Sequence, residues 1–173
     1  MTSPDIPLVD LPAFLRNLHA ERRYRPWPAY QQSKLANLLF MFELQRRSDA
    51  YGWGLMSNAA HPGFARTDLI SNGPGSNGLR GRLGRLLRPL SHSAAAGALP
   101  TLFGATSPDA KPMGYYGPNG FYEMNGPPTS AYVAPRAKDE LVARKLWEVS
   151  EALTGVEWPV EEPSRGFFLK KAM

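Results

Sequence analysis

Apolar positions recur with a helical period most clearly over 29–48. Leu35, Leu38, Leu39 and Phe42 make one stripe, and Ala36, Phe40 and Leu44 make a second. A helix that is apolar on two sides is packed on two sides. Its polar residues Tyr30, Ser33, Lys34 and Asn37 fall at i, i+3, i+4 and i+7, which is one face. A second helical pattern covers 137–154, with Val142, Leu146, Val149 and Leu153 as its stripe. Acids lie early in it, and Gly155 is placed to cap its end. Small residues over 93–105 predict a further helix, which Pro100 should kink. The stretch "YGWGLMSNAAHPG" reads as a loop, a buried strand over 53–60 and a stop at Pro62-Gly63. Residues 64–90 have no clear period and predict a long loop. "YYGPNGFYEMNGPP" holds turns and one short strand, Phe121–Met124. Before position 29 five prolines leave room for a short helix around 13–23, and 157–173 reads as an irregular tail.

At 173 residues the chain suits one domain with a real core, and an apolar fraction of 43% excludes a disordered chain. There is no cysteine, which excludes disulfides, thiolate chemistry and cysteine-ligated zinc. The three histidines, His19, His61 and His92, are scattered, so no metal site is expected. The N-terminal stretch lacks the basic and apolar regions of a signal peptide. The most apolar run, Leu35 to Phe42, is too short to span a bilayer. A soluble, cytoplasmic protein is the expectation.

The net charge of +5 is uneven, with four arginines in "RGRLGRLLR" at 80–88. No helix-turn-helix, zinc-finger or RNP pattern accompanies them, so no nucleic-acid partner is expected. The run reads as a solvated basic loop; Leu79, Leu83, Leu86, Leu87 and Leu90 between the arginines leave a membrane-surface contact as the alternative.

Candidate chemistry sits at the start of the 29–48 helix. Tyr30 and Lys34 are one helical turn apart, which brings ammonium and phenol close. A free tyrosine titrates near pH ~10, and a positive charge within ~4–6 Å favours its ionised form. A phenol tuned in this way can pass a proton to or from an alcohol or carbonyl oxygen near neutral pH. Taken alone the pattern is common, and such pairs usually decorate a solvent face.

The surrounding residues add to it. "AYQQSKLANLLF" resembles the active-site helix of the short-chain dehydrogenase/reductase family through Tyr30, Ser33, Lys34, Leu35, Ala36 and Asn37. "NAAHPGFARTDL" resembles that family's strand and Pro-Gly-x-x-x-Thr turn through Pro62, Gly63 and Thr67. "ERRYRPW", "GALPTL", "YYGPNGF" and "WEVSEALTGV" are similar to a branch near the retinol dehydrogenases and related bacterial oxidoreductases, in the right order from about 20 to 156.

The resemblance implies an α/β fold: residues 1–156 would be the C-terminal half of a doubly wound, Rossmann-like domain. It implies hydride transfer between NAD or NADP and a small alcohol or carbonyl substrate. Tyr30 would be the general acid/base, and Lys34 would favour its ionised form and hydrogen-bond the nicotinamide ribose. Pro62 and Gly63 would pass over the nicotinamide, and Thr67 would bind its carboxamide or the pyrophosphate. A serine would hold the substrate oxygen; Ser3 falls about where that residue is expected. The loop over 64–90 would be the substrate lid, and the helix at 29–48 would offer a homodimer face. His61 reads as structural.

One departure qualifies these expectations. The family's glycine-rich turn, which binds the pyrophosphate on a helix N-terminus, precedes the Tyr-Lys helix. Only 29 residues precede Tyr30, so the N-terminal dinucleotide-binding strands are expected to be lacking. "GPGSNG" at 73–78 satisfies G-x-G-x-x-G literally, but Pro74 sits inside it and no buried strand leads into it, so it reads as loop. Two functions stay open at this level: an oxidoreductase, or a truncated, non-catalytic remnant or interaction module that cannot bind the dinucleotide alone.

Overall fold

Pro26 opens the first helix of the structure, a computed structural model that describes residues 24–65 and 91–159. The helix α1 runs Pro26–Ala50, beginning earlier and ending later than the pattern predicts. The prolines that argued for a start at 29 lie in its first turn, where a missing N–H costs nothing because that donor has no partner within the helix. The first bond is donated by Ala29 N to Arg25 O at 3.0 Å.

The described chain divides into two compact units, one made of the residues up to Ser57 together with those from Val133 onward, the other of Asn58–Tyr132. In the first unit α1 packs on the last helix, here α3 (Glu140–Thr154). Leu39, Ala143, Leu146 and Val149 form the core between them, closed by Leu35, Ala36 and Val142. Burying a leucine of this kind contributes ~1.5–3 kcal/mol. Leu153, expected in the stripe, is instead exposed, and Ala143 joins Leu146 and Val149 on the buried face.

The helix expected over 137–154 is in fact two pieces. A short 3-10 turn covers Pro135–Lys138, and Asp139 leaves helical geometry to act as the cap of α3. Its Oδ1 accepts from Val142 N at 3.0 Å, satisfying one of the orphan donors of the first turn. Gly155 ends the helix at φ 67°, its N–H donated to Glu151 O at 2.8 Å. This left-handed residue is where a side chain would be strained.

Among the described residues, the strand expected over 53–60 is paired only at β1 (Ala59–Ala60). Gln45 and Ser48 side chains of α1 take backbone hydrogen bonds that a ladder would need, and the Met41 carbonyl takes the Ser57 hydroxyl. Ser57 N donates to Gln45 Oε1 at 2.7 Å, Ser57 Oγ donates to Met41 O at 2.9 Å, and Leu55 N donates to Ser48 Oγ at 2.9 Å. The chain is thereby clamped to the helix before it can enter the sheet. Trp53 closes this segment as part of an aromatic stack in which Phe40, Trp147, Trp158, Trp53 and Tyr51 follow one another at 4.9–5.6 Å between ring centres. Trp158 lies in the stretch expected to be an irregular tail; its backbone is irregular, but its ring is held on both sides.

Among the described residues of the second unit three strands lie in the order β1, β2 (Tyr115–Pro118), β3 (Pro128–Ser130). The first pair is parallel and the second antiparallel, with Ala60 opposite Tyr116 and Gly117 opposite Thr129. The strand expected at 121–124 is instead a 3-10 turn, Phe121–Glu123, at the tip of the β2–β3 hairpin. Turn-forming residues on both sides decide this: Asn119 N donates to Pro127 O at 3.0 Å and Gly120 N to Asn125 O at 2.7 Å. The helix α2 (Ala94–Thr106) covers the sheet and is capped by the Ser93 hydroxyl. It continues across Pro100, which is fully buried. Asn58 Nδ2 donates to Gly104 O at 2.7 Å, and Phe103 meets Tyr116 edge-on at 4.9 Å. The expected helix around 13–23, most of the expected loop at 64–90, and the tail beyond 159 lie outside the described residues.

Candidate active site

The first turns of α1 carry Tyr30 and Lys34 on an exposed face, as the helical period requires. Tyr30 is 53% exposed. The Lys34 ammonium lies over its ring, 5.4 Å from the centre, a cation–π distance. Ser33 donates its hydroxyl to the Tyr30 carbonyl at 2.7 Å, so that group is spent within the helix. Trp27, one turn before Tyr30, stacks on the phenol with 5.7 Å between ring centres and 22° between planes. Trp27 was not singled out in the sequence, although its spacing of three residues from Tyr30 is a visible signal for contact on a helix.

The second unit carries the Pro62–Gly63 turn directly after β1. Gly63 has φ +64°, and a Cβ there would stand 2.6 Å from Met124 O and 2.8 Å from Glu123 O. Only glycine fits such a turn. Phe64 N donates to Met124 O at 2.7 Å, and His92 lies with Nε2 2.6 Å from Pro62 O. His61, ahead of the turn, pairs through Nε2 with Glu123 Oε2 at 3.1 Å. Glu123 was missed in the sequence, since nothing local couples it to His61, sixty-two residues away.

Of the expected site residues, Tyr30 and Lys34 are thus brought together in the first unit, and Pro62 and Gly63 form one turn in the second. Ser3 and Thr67 lie outside the described residues. Among the described residues no group of three or more His, Asp or Glu side chains is arranged to hold a metal ion. Among them, too, no helix is long and apolar enough to cross a membrane.

No family model matches the chain. Among curated proteins it is 35% identical over 142 residues to human retinol dehydrogenase 12, an alignment covering 82% of this chain and 41% of that protein. It is 35% identical over 127 residues to the short chain dehydrogenase/reductase dpchH of Colletotrichum higginsianum, covering 71% of this chain and 29% of that one. Among solved structures, an uncharacterized protein from Mycobacterium paratuberculosis superposes with a TM-score of 0.61 at 38% identity, covering 84% of this chain and 46% of the other. The chain therefore spans less than half the length of each of these relatives.

Proposed function

The chain belongs to the short-chain dehydrogenase/reductase family, and from there we propose that it contributes the active-site helix of an NAD- or NADP-dependent oxidoreductase acting on an alcohol or carbonyl compound. Tyr30 is the general acid/base. The observation that carries this reading is the pairing of an exposed phenol with an ammonium 5.4 Å from its ring centre, on one face of α1.

A nicotinamide riboside needs donors that are not already engaged. Among the described residues neither the Tyr30 hydroxyl nor the Lys34 ammonium is hydrogen-bonded elsewhere, so the pair fits that end of the cofactor. NAD or NADP, when bound, supplies the hydride donor or acceptor. Tyr30 Oη holds the proton that goes to the substrate oxygen in reduction and receives it in oxidation. Lys34 offers three N–H donors to ribose hydroxyls and places a positive charge beside the phenol as it gives up its proton. Pro62 and Gly63 supply a tight backbone turn for the nicotinamide, Thr67 a hydroxyl for its carboxamide or the pyrophosphate, and Ser3 a hydroxyl for the substrate oxygen.

The same reading makes the sheet and its helices part of a doubly wound, Rossmann-like domain, with α1 as a homodimer face and a cytoplasmic setting. The likeness to retinol dehydrogenases makes an apolar alcohol or aldehyde such as retinol or retinal the first substrate to try. The test is titration of the protein with NADH and with NADPH, followed by nicotinamide fluorescence. A saturable enhancement with either supports the reading. Silence with both at millimolar cofactor overturns it and leaves the non-catalytic alternative.

A further inference from the structure

We infer that Glu123 is a positioning residue that selects the tautomer of His61 and, through it, holds the Pro62–Gly63 turn in the shape that receives the nicotinamide. The inference rests on the function proposed above.

The hydrogen bonds assign the roles. Gly63 N donates to His61 Nδ1 at 3.3 Å. A ring nitrogen that accepts carries no proton, so the neutral imidazole has its proton on Nε2. Nε2 lies 3.1 Å from Glu123 Oε2, and a carboxylate oxygen accepts that proton's hydrogen bond. The two contacts require the same tautomer. The other carboxylate oxygen is engaged as well, because Tyr132 N donates to Glu123 Oε1 at 2.7 Å. Glu123 is thus held from the β3 side while it holds His61.

The surrounding backbone is shaped for this contact. Glu123 has φ 56° and Tyr122 φ 49°, left-handed values that non-glycine residues adopt at a cost. The His61 ring lies against the bare backbone of Gly117, where any Cβ would collide with it. Tyr115 packs on the same ring, 5.2 Å between centres. The loop that carries Glu123 also accepts the Phe64 N–H through Met124 O at 2.7 Å. The turn is therefore gripped twice by one hairpin tip, once through backbone and once through the His61 side chain.

Glu123→Gln keeps the shape and reverses the polarity. The new amide oxygen can still accept from Tyr132 N–H, but its NH₂ then faces Nε2, which must accept. The imidazole proton moves to Nδ1 and points at the Gly63 N–H. His61→Asn does the opposite: its amide oxygen can accept from Gly63 N–H with no help from Glu123.

The experiment is long-range ¹⁵N NMR of the His61 ring in the full chain, with NADH and NADPH titrations of the same samples. Wild type should show a protonated Nε2 and an unprotonated Nδ1, and Glu123→Gln the reverse. Glu123→Gln should weaken cofactor binding about threefold to tenfold, the weight of one hydrogen bond. In the His61→Asn background the same substitution should have no further effect, which a merely structural carboxylate would not produce. A wild-type proton on Nδ1, unchanged affinity in Glu123→Gln, or an equal loss in the His61→Asn background would each overturn the inference. If wild type binds neither cofactor, the proposed function falls, and the tautomer pair alone still decides whether Glu123 governs the turn.

Discussion

Lys34 places its ammonium over the face of the Tyr30 ring, 5.4 Å from its centre, one helical turn along α1. The cation meets the π face of a residue that is about half exposed. A salt-bridge partner would have drawn the lysine away, and a buried phenol would have needed one of its own. Among the described residues the Lys34 ammonium has no such partner, and Tyr30 is exposed.

Tyr30→Phe keeps the ring, the contact with Lys34 and the stack on Trp27, and removes only the hydroxyl. Turnover of an alcohol or carbonyl substrate, followed by nicotinamide absorbance, should fall by at least ~10²-fold. The thermal midpoint should stay close to wild type, since the residue is exposed. Substantial residual turnover would remove the phenol from its proposed role.

Trp27 stacks on Tyr30 and is itself exposed. An aromatic pair of this kind is worth ~0.5–1.5 kcal/mol, here near the lower end. Trp27→Ala frees the phenol to sample other rotamers. The expected result is a fall in kcat of about twofold to tenfold at nearly unchanged stability, with Trp27→Phe retaining most of the activity. Equal kcat for the alanine and phenylalanine variants would show that the stack does not orient Tyr30.

Glu43 is 3% exposed in the middle of α1. It accepts from Arg46 Nε at 3.0 Å and from Arg47 Nε at 2.9 Å, and the Arg47 guanidinium also lies over Trp147 at 4.6 Å. Glu43→Gln leaves two arginines sharing one acceptor oxygen. Urea denaturation should show a loss of ~1–3 kcal/mol. A variant as stable as wild type would mean that solvent replaces the carboxylate.

Gly63→Ala puts a Cβ 2.6 Å from Met124 O at φ +64°. The turn or the hairpin tip must shift, at a cost of ~1–3 kcal/mol. The thermal midpoint should drop, and cofactor affinity should drop with it if the turn receives the nicotinamide. Lower stability with unchanged affinity would separate the turn from cofactor binding.

The sequence by itself determined what depends on neighbours within one helical turn. The period of Leu35, Leu39, Leu146 and Val149 marks the two helices whose packing makes the first core. Tyr30 and Lys34 share a face because four residues make about one turn. Gly155 caps α3 because glycine tolerates the left-handed conformation there.

Tertiary structure decided the rest. Residues 53–58 look like strand, but Gln45 and Ser48 offer their backbone better partners than a ladder does. Trp158 is held by Trp53 and Trp147, which its local sequence could not announce. Glu123 reaches His61 only because the β2–β3 hairpin folds its tip back over the turn after β1. Contacts at such separations leave no periodic trace along a chain, since they are selected by which backbone donors and ring faces remain unfilled once the helices and strands have packed.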